Sequence, residues 1–70
     1  MERKQISNSS QVLEIGYDGE NKVFEVTYKP GFVYHYYNVE QEHWEKIQTA
    51  ESTGKYVAAH IKNHQFKKIR

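Results

Sequence analysis

The stretch GFVYHYY, residues 31–37, decides the fold class of this 70-residue chain. It holds three of the six tyrosines and one of the three phenylalanines. Aromatic and β-branched side chains pack well on a pleated surface, so the run reads as a strand. Successive side chains alternate in direction, with Phe32, Tyr34 and Tyr36 on one face and Val33, His35 and Tyr37 on the other. A strand with rings on both faces can build a core on one side and offer a stacking platform on the other.

Working backwards, Pro30-Gly31 is a tight-turn dipeptide. Before it, residues 22–29 alternate cleanly, with Phe24, Val26 and Tyr28 apolar and Glu25, Thr27 and Lys29 polar. That pattern predicts an antiparallel strand covered on one side. Asp18-Gly19-Glu20-Asn21 supplies another turn. Upstream of it, Leu13, Ile15 and Tyr17 alternate with Val12, Glu14 and Gly16 as a further strand. Residues 1–9 read as a polar lead-in.

Working forwards, the period changes to that of a helix. Asn38 is the expected N-cap, with Gln41 in a capping-box position. Trp44, Ile47 and Ala50 recur at helical spacing, and Glu42 to Lys46 makes a favourable i,i+4 pair. Ser52 caps a second helix from about residue 53 to 63, whose apolar stripe centres on Val57 and Ile61. The expectation is a single α+β domain over residues 10–66, a three-stranded antiparallel meander packed against two C-terminal helices. A basic tail, residues 67–70, follows, with Phe66 and Ile69 able to tie it to the body.

The composition narrows the function classes. There is no cysteine, so neither disulfides nor thiolate chemistry is available. No apolar run approaches the ~18 residues of a membrane span, and no h-region follows the charged N-terminus, so a cytoplasmic protein is expected. Net charge is +1, but all nine acidic residues lie within residues 1–51. Beyond them stand Lys55, Lys62, Lys67, Lys68 and Arg70, a basic end that would attract phosphates or simply solvate the chain.

Catalytic signals are weak. His60 and His64 stand at i,i+4, but a zinc site needs three or four ligands, and His35 and His43 belong to other elements. His60 reads as a hydrogen-bonded residue on the helix shoulder and His64 as a surface residue. No Gly-x-Ser-x-Gly elbow is present. Ser52-Thr53-Gly54-Lys55 offers a helix start that would hold one phosphate, although capped helices often look this way. Neither enzyme activity, a cofactor, a metal nor a small-molecule substrate is expected. Rings beside cations are the better lead, since single-stranded nucleic acids are held by base stacking and phosphate pairing. Tyr34 and Tyr36 are candidate stacking residues, with Lys55, Lys62, Lys67, Lys68 and Arg70 as cations. Against this, a small domain needs the same rings for its core, and a buried tyrosine hydroxyl needs a partner such as His60.

The order Ser9-Ser10, Ile15-Gly16-Tyr17-Asp18, Phe24-Glu25-Val26, Gly31, Val33-Tyr34-His35-Tyr36, Val39, Ala50, Ser52, Gly54-Lys55-Tyr56 and His60-Ile61 resembles the KTSC domain over about residues 9–66. That small bacterial domain is named after the C-terminus of some lysyl-tRNA synthetases and also stands alone. Where such domains usually carry Pro, at the opening of the first helix, this chain has Glu40. In the second helix, Val57-Ala58 replaces the usual small polar residue. The resemblance implies an RNA-associated module, with tRNA or single-stranded RNA as partner. It does not imply aminoacylation, because an appended domain does not inherit its enzyme's activity. A protein-interaction module, including a homodimer, is the alternative.

Overall fold

The computed structural model describes residues 1–70 and contains a five-stranded antiparallel sheet and two helices. The strands are β1 (Glu2–Gln5), β2 (Val12–Asp18), β3 (Val23–Tyr28), β4 (Phe32–Tyr36) and β5 (Phe66–Lys68). They lie side by side in chain order. Between β4 and β5 run α1 (Gln41–Ile47) and α2 (Thr53–Tyr56), the latter continuing into a π-helical turn, Val57–Ile61. The α+β class and the central meander agree with the sequence reading. The sheet, however, has two more strands than the three expected.

Both extra strands come from segments that read as lead-in and tail. All four residues of β1 and all three of β5 are exposed, so neither carries the apolar alternation that marks a strand. They are held by backbone pairing at the sheet's edges: Lys4 opposes Ile15, and Tyr36 opposes Phe66. The tail is also fastened beyond β5, where the Val33 N–H donates to the Arg70 carbonyl at 3.0 Å and the Ile69 N–H to the Val33 carbonyl at 2.7 Å.

The helices cover one face of the sheet. Under them lie Ile15, Tyr17, Phe24, Val26 and Tyr36, with Trp44 and Ile47 from α1 and Val57 and Ile61 from α2. Trp44 stacks on Tyr17 at 6.0 Å between centroids and meets Phe24 edge-on at 5.9 Å. Such pairs contribute about 0.5–1.5 kcal/mol beyond area burial. β2 departs from simple alternation. A bulge between Val12 and Glu14 brings Val12, rather than Leu13, into the core beside Ile15.

The join from β4 to α1 also differs from expectation. Asn38 is in the left-handed region (φ 58°), a conformation that Asn tolerates, and it turns the chain rather than capping the helix. Glu40 is the N-cap, with φ −70° and no side-chain cap bond, its carboxylate reaching Lys22 at 3.1 Å. A φ of −70° is one proline would also take, so glutamate here costs the backbone little. Ser52 caps α2 as expected, its hydroxyl accepting from the Lys55 N–H at 3.3 Å. Gly31, at φ 154°, follows the cis Lys29–Pro30 peptide in the β3–β4 turn, and that φ favours glycine.

Candidate functional site

Alternation across the β3–β4 hairpin places Tyr28, Phe32, Tyr34 and Tyr36 on the helix-bearing face, with Val26 opposite Tyr34 and Tyr28 opposite Phe32. The helices cover only part of that face. At its uncovered end these rings and Phe66 of β5 line a groove of about 440 Å³, completed by Gln11 and Lys62. A second groove of about 400 Å³ adjoins it and shares Gln11, Tyr28 and Lys62. Its far wall is Ser9, Ser10, Ser52, Gly54 and Lys55. Together the two form a trench with an aromatic end and a polar, hydroxyl-rich end.

The rings differ in availability. Tyr36 is 4% exposed and belongs to the core, whereas Tyr34 is half-buried and Phe32 and Phe66 are 43% and 59% exposed. Tyr34 is the hub of the aromatic end: it stacks with Tyr36 at 6.4 Å, meets Tyr28 edge-on at 5.6 Å and lies 6.0 Å from Phe66. The hydroxyls of Tyr28 and Tyr36 pair at 2.8 Å, so Tyr36 finds its partner across the hairpin rather than in His60. Burial pushes both phenols above their ordinary value, and for Tyr28 the bond to Tyr36 adds to the rise. The groove floor therefore carries neutral hydroxyls at physiological pH.

Charge is one-sided here. Neither groove is lined by an aspartate or glutamate, and Lys55 and Lys62 stand in the walls. Lys62 Nζ lies 5.5 Å from the Tyr28 ring centroid and Lys68 Nζ 4.3 Å from that of Phe32. Of the candidate cations, Lys55, Lys62 and Lys68 thus gather around the trench. Lys67 pairs with His35, which puts it on the opposite face, and Arg70 lies on the tail alongside Val33.

The helix start at residues 52–55, a weak phosphate-site signal in the sequence, is an ordinary cap whose donors the protein itself uses. The Thr53 N–H donates to Asn8 Oδ1 at 3.4 Å and the Lys55 N–H to Ser52 Oγ, so two of the first-turn donors are used. Asn8 also donates to the Ala50 and Glu51 carbonyls at 3.2 Å, stitching the N-terminal loop to the turn between the helices. Ser9 continues that seam, accepting from the Val12 N–H at 3.1 Å.

Two other polar clusters stand outside the trench. On the open face of the sheet, Glu25 is only 7% exposed and is bracketed by Arg3 and by His35, whose Nε2 lies 2.7 Å away. Burial raises the Glu25 carboxyl's pKa, but the bonds from His35 and Arg3 outweigh it and hold the group below its ordinary value. Between the helices, His43 lies 5.9 Å, ring to ring, from both His60 and His64, and its Nδ1 is 2.9 Å from the Tyr56 hydroxyl. His64 donates Nδ1–H to the Tyr37 carbonyl at 3.2 Å, while His60 is exposed, the reverse of the sequence expectation. The π-helical turn, with its Lys62-to-Val57 bond, breaks the 3.6-residue period on which that expectation rested. No group of three or more such side chains is arranged to hold a metal ion.

Sequence reasoning singled out Tyr34, Lys55, Lys62 and Lys68, which the fold does bring together. It missed Gln11, Tyr28, Phe32 and Phe66 as trench residues. Parity across the Pro30-Gly31 turn was a usable signal for Tyr28 and Phe32. No helix is long and apolar enough to cross a membrane.

Comparison with curated proteins gives no match. Among solved structures, the crystal structure of a KTSC domain protein from Yersinia pestis is similar over 99% of this chain and 97% of that one. The two share 31% identity and superpose with a TM-score of 0.88. The family model for the KTSC domain matches residues 8–66. That span runs from Asn8, which ties the loop after β1 to the helices, to Phe66, which opens β5 and walls the trench; the chain belongs to the KTSC domain family.

Proposed function

We propose that this domain is a small non-catalytic module that binds single-stranded RNA in the trench. Bases lie against Tyr34, Phe32 and Phe66, and phosphates pair with Lys55, Lys62 and Lys68. The observation that carries this reading is the pairing of accessible rings with cations along a trench that no acidic side chain lines. Base–aromatic stacking contributes about 1–3 kcal/mol per base and tolerates any sequence, which suits a site of this kind. A self-associating module is the competing reading. The sheet edges weigh against it, because β1 carries Arg3 and Lys4 and β5 is three residues long with Lys67 and Lys68.

The test is the salt dependence of binding, read by fluorescence anisotropy of a labelled RNA oligomer. Three phosphate contacts give a slope of log K against log salt of about −2, or roughly 20-fold weaker binding between 50 and 200 mM salt. Lys62→Ala should flatten that slope by about 0.7, whereas Lys67→Ala should leave it unchanged. Equal effects of the two substitutions would mean non-specific attraction to the basic end. Absence of binding at low salt would remove the RNA reading.

A further inference from the structure

The second groove differs from the aromatic one in what its walls can offer. Ser9 Oγ accepts from the backbone N–H groups of Gln11 at 3.3 Å and Val12 at 3.1 Å. A hydroxyl has two lone pairs and one hydrogen, so Ser9 is left with only its O–H, as a donor. Ser10 beside it is exposed, and its hydroxyl has no partner within the protein. On the facing wall, Lys55 and Lys62 are exposed, and neither pairs with a carboxylate. The Thr53 and Lys55 N–H groups take no part, because they are bonded to Asn8 and Ser52. The walls are tied together by the seam, in which Asn8 bonds to Ala50, Glu51 and Thr53. Ser9 lies so close to Gly54 that a Cβ there would stand 2.8 Å from its Oγ.

We infer that this groove is a terminal-phosphate subsite. It takes the phosphomonoester of a nucleotide whose base lies against Tyr34 and Phe66, with Ser9 and Ser10 donating from one wall and Lys55 and Lys62 from the other. The inference rests on the RNA reading above and names the part of the RNA that the trench holds, a phosphorylated end. Two features favour a monoester over the phosphodiester of a continuing chain. A diester has one charge and two free oxygens, whereas a monoester carries about 1.5–2 charges at pH 7 and three strong acceptor oxygens. Hydroxyl and ammonium donors on both walls, with no carboxylate among them, match the second. The seam is the other feature, because a strand laid over the rings runs into the joined walls and ends there.

The experiment compares uridine oligomers of one length ending in a 5′-phosphate, a 3′-phosphate or free hydroxyls, together with uridine 5′-monophosphate, by anisotropy competition at fixed salt. One of the phosphorylated oligomers should bind about tenfold to a hundredfold more tightly than the hydroxyl-ended one. That preference should shrink between about pH 7.5 and 5.5, because the monoester takes up its second proton near pH ~6. Histidine protonation acts on every oligomer and cancels in the ratio. Ser9→Ala and Lys55→Gln should each remove most of the preference, whereas Lys68→Gln, at the aromatic end, should weaken all the oligomers alike. Ser9→Ala also deprives two backbone N–H groups of their acceptor, so Lys55→Gln, at an exposed position, decides the matter if that variant fails to fold. Equal binding of all the oligomers by the unmodified protein would overturn the subsite while leaving RNA binding in place. A preference that survives Lys55→Gln, or that does not change with pH, would overturn it too. Competition by uridine monophosphate as strong as that of the phosphorylated oligomer would support the subsite and assign it to a free nucleotide. Failure of every oligomer to bind at low salt would instead defeat the RNA reading on which the subsite depends.

Discussion

Tyr17→Phe removes one oxygen atom and tests how the first helix is anchored to the sheet. The Tyr17 hydroxyl donates to the Val39 carbonyl at 2.6 Å, and both residues are almost wholly buried. Val39 sits between the left-handed Asn38 and the N-cap Glu40, so this bond fixes the point at which α1 begins. The substitution keeps the ring, and with it the stack on Trp44 and the contact with Phe24, so it opens little cavity. What remains is a buried carbonyl without its donor, at a cost of about 1–3 kcal/mol. A chain of this length has roughly 3.5–10 kcal/mol of stability in total, so the loss is a large share. At about 4–8 °C per kcal/mol, the expected drop in Tm is on the order of 10 °C. Urea unfolding followed by far-UV circular dichroism measures it, with Trp44 fluorescence as a second probe. A loss under about 0.5 kcal/mol at unchanged m-value would refute the reasoning, because water would then be replacing the phenol at a site taken to be dry.

Acidification should lower stability in two separate steps. Burial, followed by the nearby His64 and His60, holds His43 below its ordinary value of 6.5, so the unfolded chain binds the proton first. Stability contributed by the neutral ring is therefore present above pH 6.5 and lost as pH falls toward the lowered folded value. Urea titrations across this range should show that limb, and His43→Gln should abolish it; a limb that persists would point to another group. Glu25, held below its ordinary 4.5, contributes stability that is present above pH 4.5 and lost as pH falls through its folded value. Glu25→Gln should flatten that lower limb, and an unchanged acid transition would show that the bracket with Arg3 and His35 contributes nothing. Gly54→Ala places a Cβ 2.8 Å from Ser9 Oγ, so it should destabilise the seam despite alanine's better helix propensity. Combined with Ser9→Ala it should show a coupling of about 0.5–3 kcal/mol, and strict additivity would mean that the two residues do not touch.

How far the molecule is legible in its sequence depends on how each element is stabilised. β3 turns Phe24 and Val26 into the core under the helices, so its alternation is legible, whereas β4 buries Tyr36 on that face and Val33 on the other and shows itself chiefly by its aromatic content. β1 and β5 are held by backbone pairing at the edges, which leaves no side-chain pattern for Glu2–Gln5 or Phe66–Lys68 to display. The bulge that exchanges Leu13 for Val12 in the core, and the π turn that reorients His60 and His64, each shift a register by a local backbone change that composition does not encode. The trench shows the same division. Its rings and lysines stand out as residue types, but their assembly depends on the partial cover of the sheet by short helices. Gln11 carried no signal at all, because an exposed glutamine beside two serines looks like any loop.

The most direct test of the central claim is an amide chemical-shift titration of the 15N-labelled domain with single-stranded RNA at two salt concentrations. The account predicts salt-sensitive shifts that trace the trench, at Gln11, Tyr28, Tyr34, Lys55 and Lys62, with little change at Lys67 or on the open face around Glu25. Shifts confined to the last four residues, or none at low salt, would contradict it.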